Sequence, residues 1–399
     1  SFFYPSVGLS GVISSMARLP EWISFLKVRG SYTEVGTSFE RFITRPTYEF
    51  NIASGKWSST SIYPMRNLKP EKTRSWEFGL NSKWLDNRLS FDLTYYKSNT
   101  INQTFTADLS ISSGYSKAYI QSGNVRNEGI EMALGYSDKW NGFAWDSHLT
   151  LSWNKNKIIK LTEGSINPMT GEPITKDNYD MGQLGNLDAR VKLYKGGSIG
   201  DVYATHRIKR DGNGNVFVSQ EGKIEIESVD EFKLGSILPK TNMGWSNNFS
   251  YKGVNLGMTL TARFGGIALS GTQSVLDQYG VSQVTANYRD TGGVPINHGY
   301  VDTEKYFDTV KGYAAYYTYS ATNVRLAELS LSYTLPKEWF RDKLRMTVGL
   351  VGKNLWMIYC KAPFDPEATA STQSNYYQSY DYFMQPTTRN LGFSVKLNF

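Results

Sequence analysis

Toward the C-terminus Leu391, Phe393, Val395, Leu397 and Phe399 alternate with Asn390, Gly392, Ser394, Lys396 and Asn398. One face of that segment is apolar and the other polar, the period of two that a pleated strand imposes. Val254, Leu256, Met258, Leu260, Ala262 and Phe264 stand in the same relation to Asn255, Gly257, Thr259, Thr261, Arg263 and Gly265. The alternation returns over 344–350, 327–335, 143–153, 130–136, 89–95 and 76–84, with weaker copies over 243–251, 26–32 and 7–13. These make about eleven segments of roughly 8–12 residues, the length a tilted strand needs to cross a bilayer.

The connections alternate too. Short ones lie at 86–88, 138–142, 252–253 and 336–343, and long ones at about 36–71, 105–122, 161–237, 269–320 and 359–387. Short turns on one side and long loops on the other mark an outer-membrane barrel, whose periplasmic turns are the short ones. With Phe399 placed at the periplasmic end, parity puts every short turn on that side. It also requires 161–237 to hold an even number of crossings, or none, with Arg210–Val218 as a hairpin inside an extracellular excursion. Trp84, Tyr136, Phe143, Trp145, Tyr251, Tyr333 and Phe399 all fall on apolar faces near the short-turn ends, where an interfacial aromatic belt belongs. A soluble sandwich or propeller would share the period of two, but such folds rarely carry several long loops on one side.

Composition fits an all-β chain: of 399 residues 14% are aromatic, with 27 Tyr and 36 Gly. No apolar run approaches the roughly 20 residues of a membrane-crossing helix. The mean hydropathy of −0.42 does not exclude a barrel, because the two faces of each strand cancel in an average. The single Cys360 excludes an internal disulfide and a cysteine-rich metal site. The net charge of +7 comes from interspersed charges, without the basic run that nucleic acid would call for. The chain opens at Ser1 without Met or a signal peptide, so we expect a processed chain or a piece of a longer one.

Nine stretches resemble the SusC/RagA family of TonB-dependent outer-membrane transporters, in the family's order and from end to end. They are LKVRGSY at 26–32, NLKPEKTRSWEFGL at 67–80, RLSFDLTYYK at 88–97, GNVRNEGIE at 123–131, GSILPKTNMGWSNNFSY at 235–251, RFGG at 263–266, VRLAELSLSYTLP at 324–336, GKNLW at 352–356 and the closing LGFSVKLNF. The resemblance implies an antiparallel transmembrane β-barrel of 22 strands, of which residues 1–399 hold about the last eleven. The plug domain, the TonB-contacting segment and the first half of the barrel are absent from this chain. An isolated half-barrel would expose two unpaired edges to hydrocarbon, so the remainder must come from preceding residues or another chain. The resemblance further implies a Gram-negative outer membrane, as in Bacteroidetes. It also implies a SusD-like surface lipoprotein as lid, energy from the TonB complex, and oligosaccharide or peptide as cargo. A passive porin-like or structural barrel is the alternative, and a barrel hydrolase a third.

Candidate chemistry is sparse. No nucleophile elbow, zinc-protease motif or phosphate loop occurs, so neither an enzyme nor a cofactor is expected. His148 falls on a polar face and reads as a lumenal polar residue. Asp211-Gly-Asn-Gly-Asn215 begins like a calcium loop, but Val216 and Gly222 replace the required Gly and acid, so a hairpin turn is expected and no metal. Lys27, Arg29, Glu77, Lys83, Asp92, Glu131, Asp146, Arg263, Glu328, Arg345 and Lys396 fall on polar faces and are expected to line a wet interior. The loops are rich in tyrosine: Tyr63, Tyr115, Tyr279, Tyr288, Tyr316, Tyr317, Tyr376 and Tyr377 are candidate substrate or lipoprotein contacts, with loop-to-loop packing as the other reading.

Overall fold

The computed structural model describes residues 3–38, 43–45, 48–59, 62–64, 69–108, 115–167, 171–174, 178–341, 343–368 and 378–399. The chain forms two compact units.

The first unit comprises Ser1–Ala133, Ser152–Tyr179 and Leu193–Ile199. It holds β1 (Ser6–Val12), β2 (Ile23–Thr37), β3 (Glu71–Trp84), β4 (Leu89–Asp108), the start of β5 (Lys117–Trp140) and the end of β6 (Phe143–Lys160). Each strand pairs with its chain neighbour, the first three pairs antiparallel. Register places like with like: Val7 lies opposite Tyr32 and Tyr32 opposite Trp76, while Val28 lies opposite Leu80 and Leu80 opposite Leu93. Val7, Trp76 and Phe78 are more than half exposed, so among the described residues little covers this apolar face. A small separate core joins Val125, Ile158, Leu161, Tyr179 and Leu193. There the strap 193–199 returns to β6 through Ile158 N–H to Gly197 O and Gly196 N–H to Ile158 O, both 2.8 Å.

The second unit comprises Leu134–Leu151, Asp180–Lys192 and Gly200–Phe399. In it the strand path runs from β5 and β6 through β7 (Thr241–Tyr251), β8 (Val254–Phe264), β9 (Asn323–Thr334) and β10 (Arg345–Cys360) to β11 (Asn390–Asn398). Val254, Tyr333, Val348 and Val395 form one cross-strand row, and Leu256, Leu331, Leu350 and Phe393 the next. Leu331 is 50% exposed, Leu350 66% and Phe393 82%. Rows of large apolar side chains left open to this degree are a sheet face built for a surrounding that is itself apolar. Two polar residues do sit on that face, Ser147 and Asn247, and a tryptophan N–H from the adjacent strand covers each.

The short turns follow local chemistry. Lys252-Gly253 and Asn141-Gly142 take left-handed φ at both positions (45° and 86°; 49° and 79°), as the tightest hairpin requires. The 336–343 connection contains a single 3-10 turn, Lys337–Phe340.

Several expectations need revision. Strands are longer than the 8–12 residues inferred from alternation, reaching 24 in β5. Hairpin pairing continues past the alternating zone, as where Lys72–Ser75 of β3 meet Ser98–Ile101 of β4. The period also slips within β9: Ala327 is bulged out between Leu326 and Glu328, so Val324 and Leu326 share a face with Leu329 and Leu331. In keeping with the parity requirement of an even number of crossings or none, the 161–237 excursion contributes no described strand to the wall, because β6 pairs directly with β7. Asp201–Ile208 instead pairs with Ile226–Ser236 on one side and with Arg190 and Val191 on the other.

Candidate functional site

The polar faces of the strands carry their own network. In the first unit the Arg29 guanidinium donates to Asn81 Oδ1 (2.6 Å) and Thr94 Oγ1 (2.5 Å) and lies 3.5 Å from Asp92. Asn81 also donates to Asp92. Gly79 stands opposite Arg29 in the register and leaves the space the guanidinium fills. Further along, amides answer each other: Asn99 to Asn124, Asn156 to Asn127, and Tyr96 Oη to Asn154. In the second unit Lys353 lies 3.8 Å from Glu328, and His148 lies 2.9 Å from Asp146 on its own strand. Both side chains of that pair are exposed.

At the outer end of β9, Asn323 is buried and Arg325 nearly so. Arg325 donates to both oxygens of Asp365 (2.8 and 3.1 Å), with Glu367 at 3.3 Å. Burial works to raise the Asp365 carboxyl, and the hydrogen bonds and charge of Arg325 outweigh it, so the group is held below the ordinary carboxylate range. This clamp fixes the start of the last long loop to the wall.

Above the second unit's strands the loops fold into a module with its own core: Leu184, Leu187, Val191, Val202, Ile237, Leu269, Phe307, Val310, Tyr317 and Tyr380 are all buried. Three eight-residue helices contribute, α1 (Gly271–Gln278), α2 (Gln283–Asp290) and α3 (Thr303–Val310). Each opens on a side-chain cap: Ser270 accepts from Gln273 N–H, Ser282 from Thr285 N–H and Asp302 from Lys305 N–H. Tyr380 ties the last loop into this module: its hydroxyl accepts from Asn186 N–H (3.0 Å) and donates to Asn186 Oδ1. Beside it Ser270 donates to Asp381 (2.6 Å). Asp277 is buried at the end of α1, where desolvation pushes its carboxyl upward even though Ser282 (2.5 Å) and Gln273 (2.7 Å) donate to it.

The candidate tyrosines separate into groups. Tyr279 projects from the end of α1 and is 71% exposed. Tyr288 and Tyr316 pack against the module core, and Tyr317 lies within it at 0% exposure. Burial raises the Tyr316 and Tyr317 hydroxyls. Tyr63 and Tyr115 meet edge to face with ring centres 5.3 Å apart. Tyr376 and Tyr377 lie outside the described residues. Loop packing therefore accounts for Tyr317, and Tyr279 is the candidate best presented to a ligand.

Sequence patterns did not reveal a cavity of about 640 Å³ at the module surface, lined among others by Arg207, Arg210, Glu227, Tyr313 and Tyr316. Its walls come from segments about a hundred residues apart, so no local pattern could have signalled it. The neighbouring Asp211 accepts from the N–H groups of Asn213 and Asn215 (2.8 Å each) and from the Asn215 side chain (3.1 Å). Those bonds make it the hairpin turn expected. Among the described residues no cluster of His, Cys, Asp or Glu could hold a metal.

Comparison with known proteins agrees with this architecture. Residues 1–214 match the family described as "TonB dependent receptor-like, beta-barrel". The chain is 27% identical over 349 residues to TonB-dependent receptor P3 of Formosa agariphila, covering 84% of this chain and 34% of that protein. It is 22% identical over 325 residues to TonB-dependent receptor SusC of Bacteroides thetaiotaomicron, covering 78% of this chain and 31% of that one. It thus spans about a third of the length of these relatives. Among solved structures the RagAB peptide importer in its open-open state superposes with a TM-score of 0.74 at 18% identity, over 99% of this chain and 42% of that one. At that identity the match speaks for the fold.

Proposed function

This chain belongs to the TonB-dependent receptor-like β-barrel family, and on that premise we propose that it is the C-terminal part of a barrel that imports large nutrients across the outer membrane. Family members are outer-membrane receptors and transporters of Gram-negative bacteria, and not enzymes. In this reading β1 to β11 are half of a 22-stranded wall, and the plug and the other half lie elsewhere in the same assembly. A SusD-like lipoprotein caps the loops, and TonB supplies the energy. Oligosaccharide is the first choice of cargo and peptide the second. Tyr279 and the cavity of Arg207, Arg210, Tyr313 and Tyr316 are the proposed contacts with cargo or lid, since both offer aromatic faces beside hydrogen-bonding groups.

The observation that carries the proposal is the division of the strands into two kinds of face. Outward rows such as Leu331, Leu350 and Phe393 are open to their surroundings, while the opposite face is hydrogen-bonded and charged, as around Arg29. The test is uptake of labelled oligosaccharides and oligopeptides by cells carrying the full-length protein, with and without a protonophore. Energised import abolished by the protonophore supports an active transporter, and uptake unaffected by it means a passive pore.

A further inference from the structure

The cleft of about 640 Å³ lies where the hairpin around Arg207–Glu227 meets the chain that leaves α3. Its volume falls within the roughly 300–1,000 Å³ of small-ligand sites. Every lining residue, and every residue from 178 to 341 around it, is among those described. Val310, fully buried, supplies apolar floor, and Tyr313 and Tyr316 supply two phenol rings. Both rings are braced from behind. Tyr313 packs on His206 with ring centres 5.2 Å apart, and Tyr316 on Tyr306 and Phe307 at 5.8 and 6.1 Å. The hairpin supplies the charges, and each is already answered. Arg207 Nε donates to Glu227 Oε1 at 2.7 Å, and Arg210 donates to the Gly214 carbonyl at 2.8 Å. Asp211 is occupied by the donors of its own turn. Two cations and two carboxylates thus leave the lining electrically balanced. The Arg207–Glu227 bond uses one edge of each group, so guanidinium donors and a second carboxylate oxygen remain side by side.

Balanced charge, adjacent donors and acceptors, and braced rings over an apolar floor match the surface of a sugar. Neighbouring hydroxyls each donate and accept, so one gives to Glu227 while the next receives from Arg207, and the C–H face of the sugar lies on a phenol ring. A peptide fits less well, because the N–H and C=O of a planar trans unit point to opposite sides and do not both meet one Arg–Glu pair. We infer that the cleft takes uncharged pyranose units of an oligosaccharide, and that Glu227 sets this choice. Glu227 cancels Arg207; without it the cleft holds a surplus guanidinium and favours a carboxylate. The inference deepens the importer reading and rests on it for the identity of that oligosaccharide as cargo.

The test is calorimetric titration of the purified full-length protein with gluco-, manno- and galacto-hexaoses. Each is used as such and with its primary alcohols oxidised to carboxylates, and a hexapeptide of alanine and serine serves as the other class of ligand. The native protein should bind at least one uncharged hexaose at least about tenfold more tightly than its oxidised form. Glu227→Gln should move that ratio toward the oxidised form by about tenfold. Glu225→Gln, which breaks the neighbouring pair with Lys209 outside the cleft, should leave the ratio unchanged. Tyr313→Ala should weaken both forms by at least about fivefold, and Tyr313→Phe, which keeps the ring, should bind as the native protein does. Binding of no uncharged hexaose, tighter binding of the peptide, or a ratio that Glu227→Gln leaves unmoved or Glu225→Gln moves equally overturns the proposal. Uptake by cells separates the two readings. Protonophore-sensitive import by a protein whose titrations fail removes the sugar cleft alone, whereas sugar binding as expected without energised uptake removes the importer reading and leaves the cleft standing.

Discussion

The indole N–H of Trp145 lies 3.1 Å from Oδ1 of Asn247, on the strand beside it, and Trp245 of that strand donates in return to Ser147 Oγ at 3.0 Å. The two polar side chains on the apolar face are thus each shielded by a ring from across the pair. Asn247 is only 2% exposed as a result.

Replacing Trp145 by Phe keeps the apolar body but withdraws the donor, leaving Asn247 short of its partner in a low-dielectric place. A loss of about 1–3 kcal/mol is expected. Asn247→Leu in the same background should restore most of it, as read by heat-dependent gel mobility of the folded barrel. If the double variant is no more stable than Trp145→Phe, the shielding account is wrong.

The faces themselves can be tested on adjacent residues of β8. Met258 lies opposite Leu329 on the outward face, and Thr259 lies opposite Glu328 on the other. Met258→Arg should cost about 2–4 kcal/mol and block insertion. Thr259→Arg should insert normally with a carboxylate across from it. Equal amounts of both in the outer-membrane fraction would contradict the assignment of faces.

Gly79 is required by a neighbour. A Cβ there would stand 2.5 Å from Nε of Arg29. Gly79→Val should destabilise by about 1–3 kcal/mol through that overlap, and Arg29→Ala should recover part of the loss. A full-sized effect that persists without Arg29 would point to the backbone instead.

Tyr380 holds the module from its centre. Tyr380→Ala should cost about 3–5 kcal/mol locally, seen as rapid protease cleavage within 361–389 while the wall strands stay protected. Tyr380→Phe should show a smaller effect, from loss of the Asn186 bonds alone. Unchanged cleavage in Tyr380→Ala would mean the loop is held elsewhere.

The Arg325–Asp365 clamp has a defined pH dependence. A carboxyl depressed in the folded state contributes stability that is fully present above its unfolded value, about 4, and fades as pH falls through the lower folded value. Pepsin should therefore open the loop around Asp365 increasingly as pH drops below about 4. Asp365→Asn should be equally susceptible across that range. A native protein whose cleavage stays flat with pH would exclude the clamp as the restraint.

The wall was legible in the sequence because alternation is forced wherever one face meets lipid and the other water: β8 and β11 are readable residue by residue. Legibility stops where that constraint stops. The Ala327 bulge shifts register by one without any local signal, since the chain on either side still alternates. The module was not legible for a different reason. Its core unites Leu187, Val202, Phe307 and Tyr380, far apart along the chain, and α3 is a single turn pair whose buried Tyr306, Phe307 and Val310 are too few to establish a helical period. The tyrosines illustrate this limit: composition marked Tyr279 and Tyr317 alike, and only tertiary placement divides an exposed ring from a core one.

Because β6 and β7 pair directly, with Thr150 reaching the Gly244 carbonyl, the long 161–237 detour leaves and re-enters the wall at neighbouring points. Its length and sequence are therefore nearly independent of the register on which the wall depends. Evolution could exchange that whole segment between paralogues and change what the outer surface recognises, while the frame inserts as before. The same junction offers an engineer a natural site for grafting a foreign recognition element.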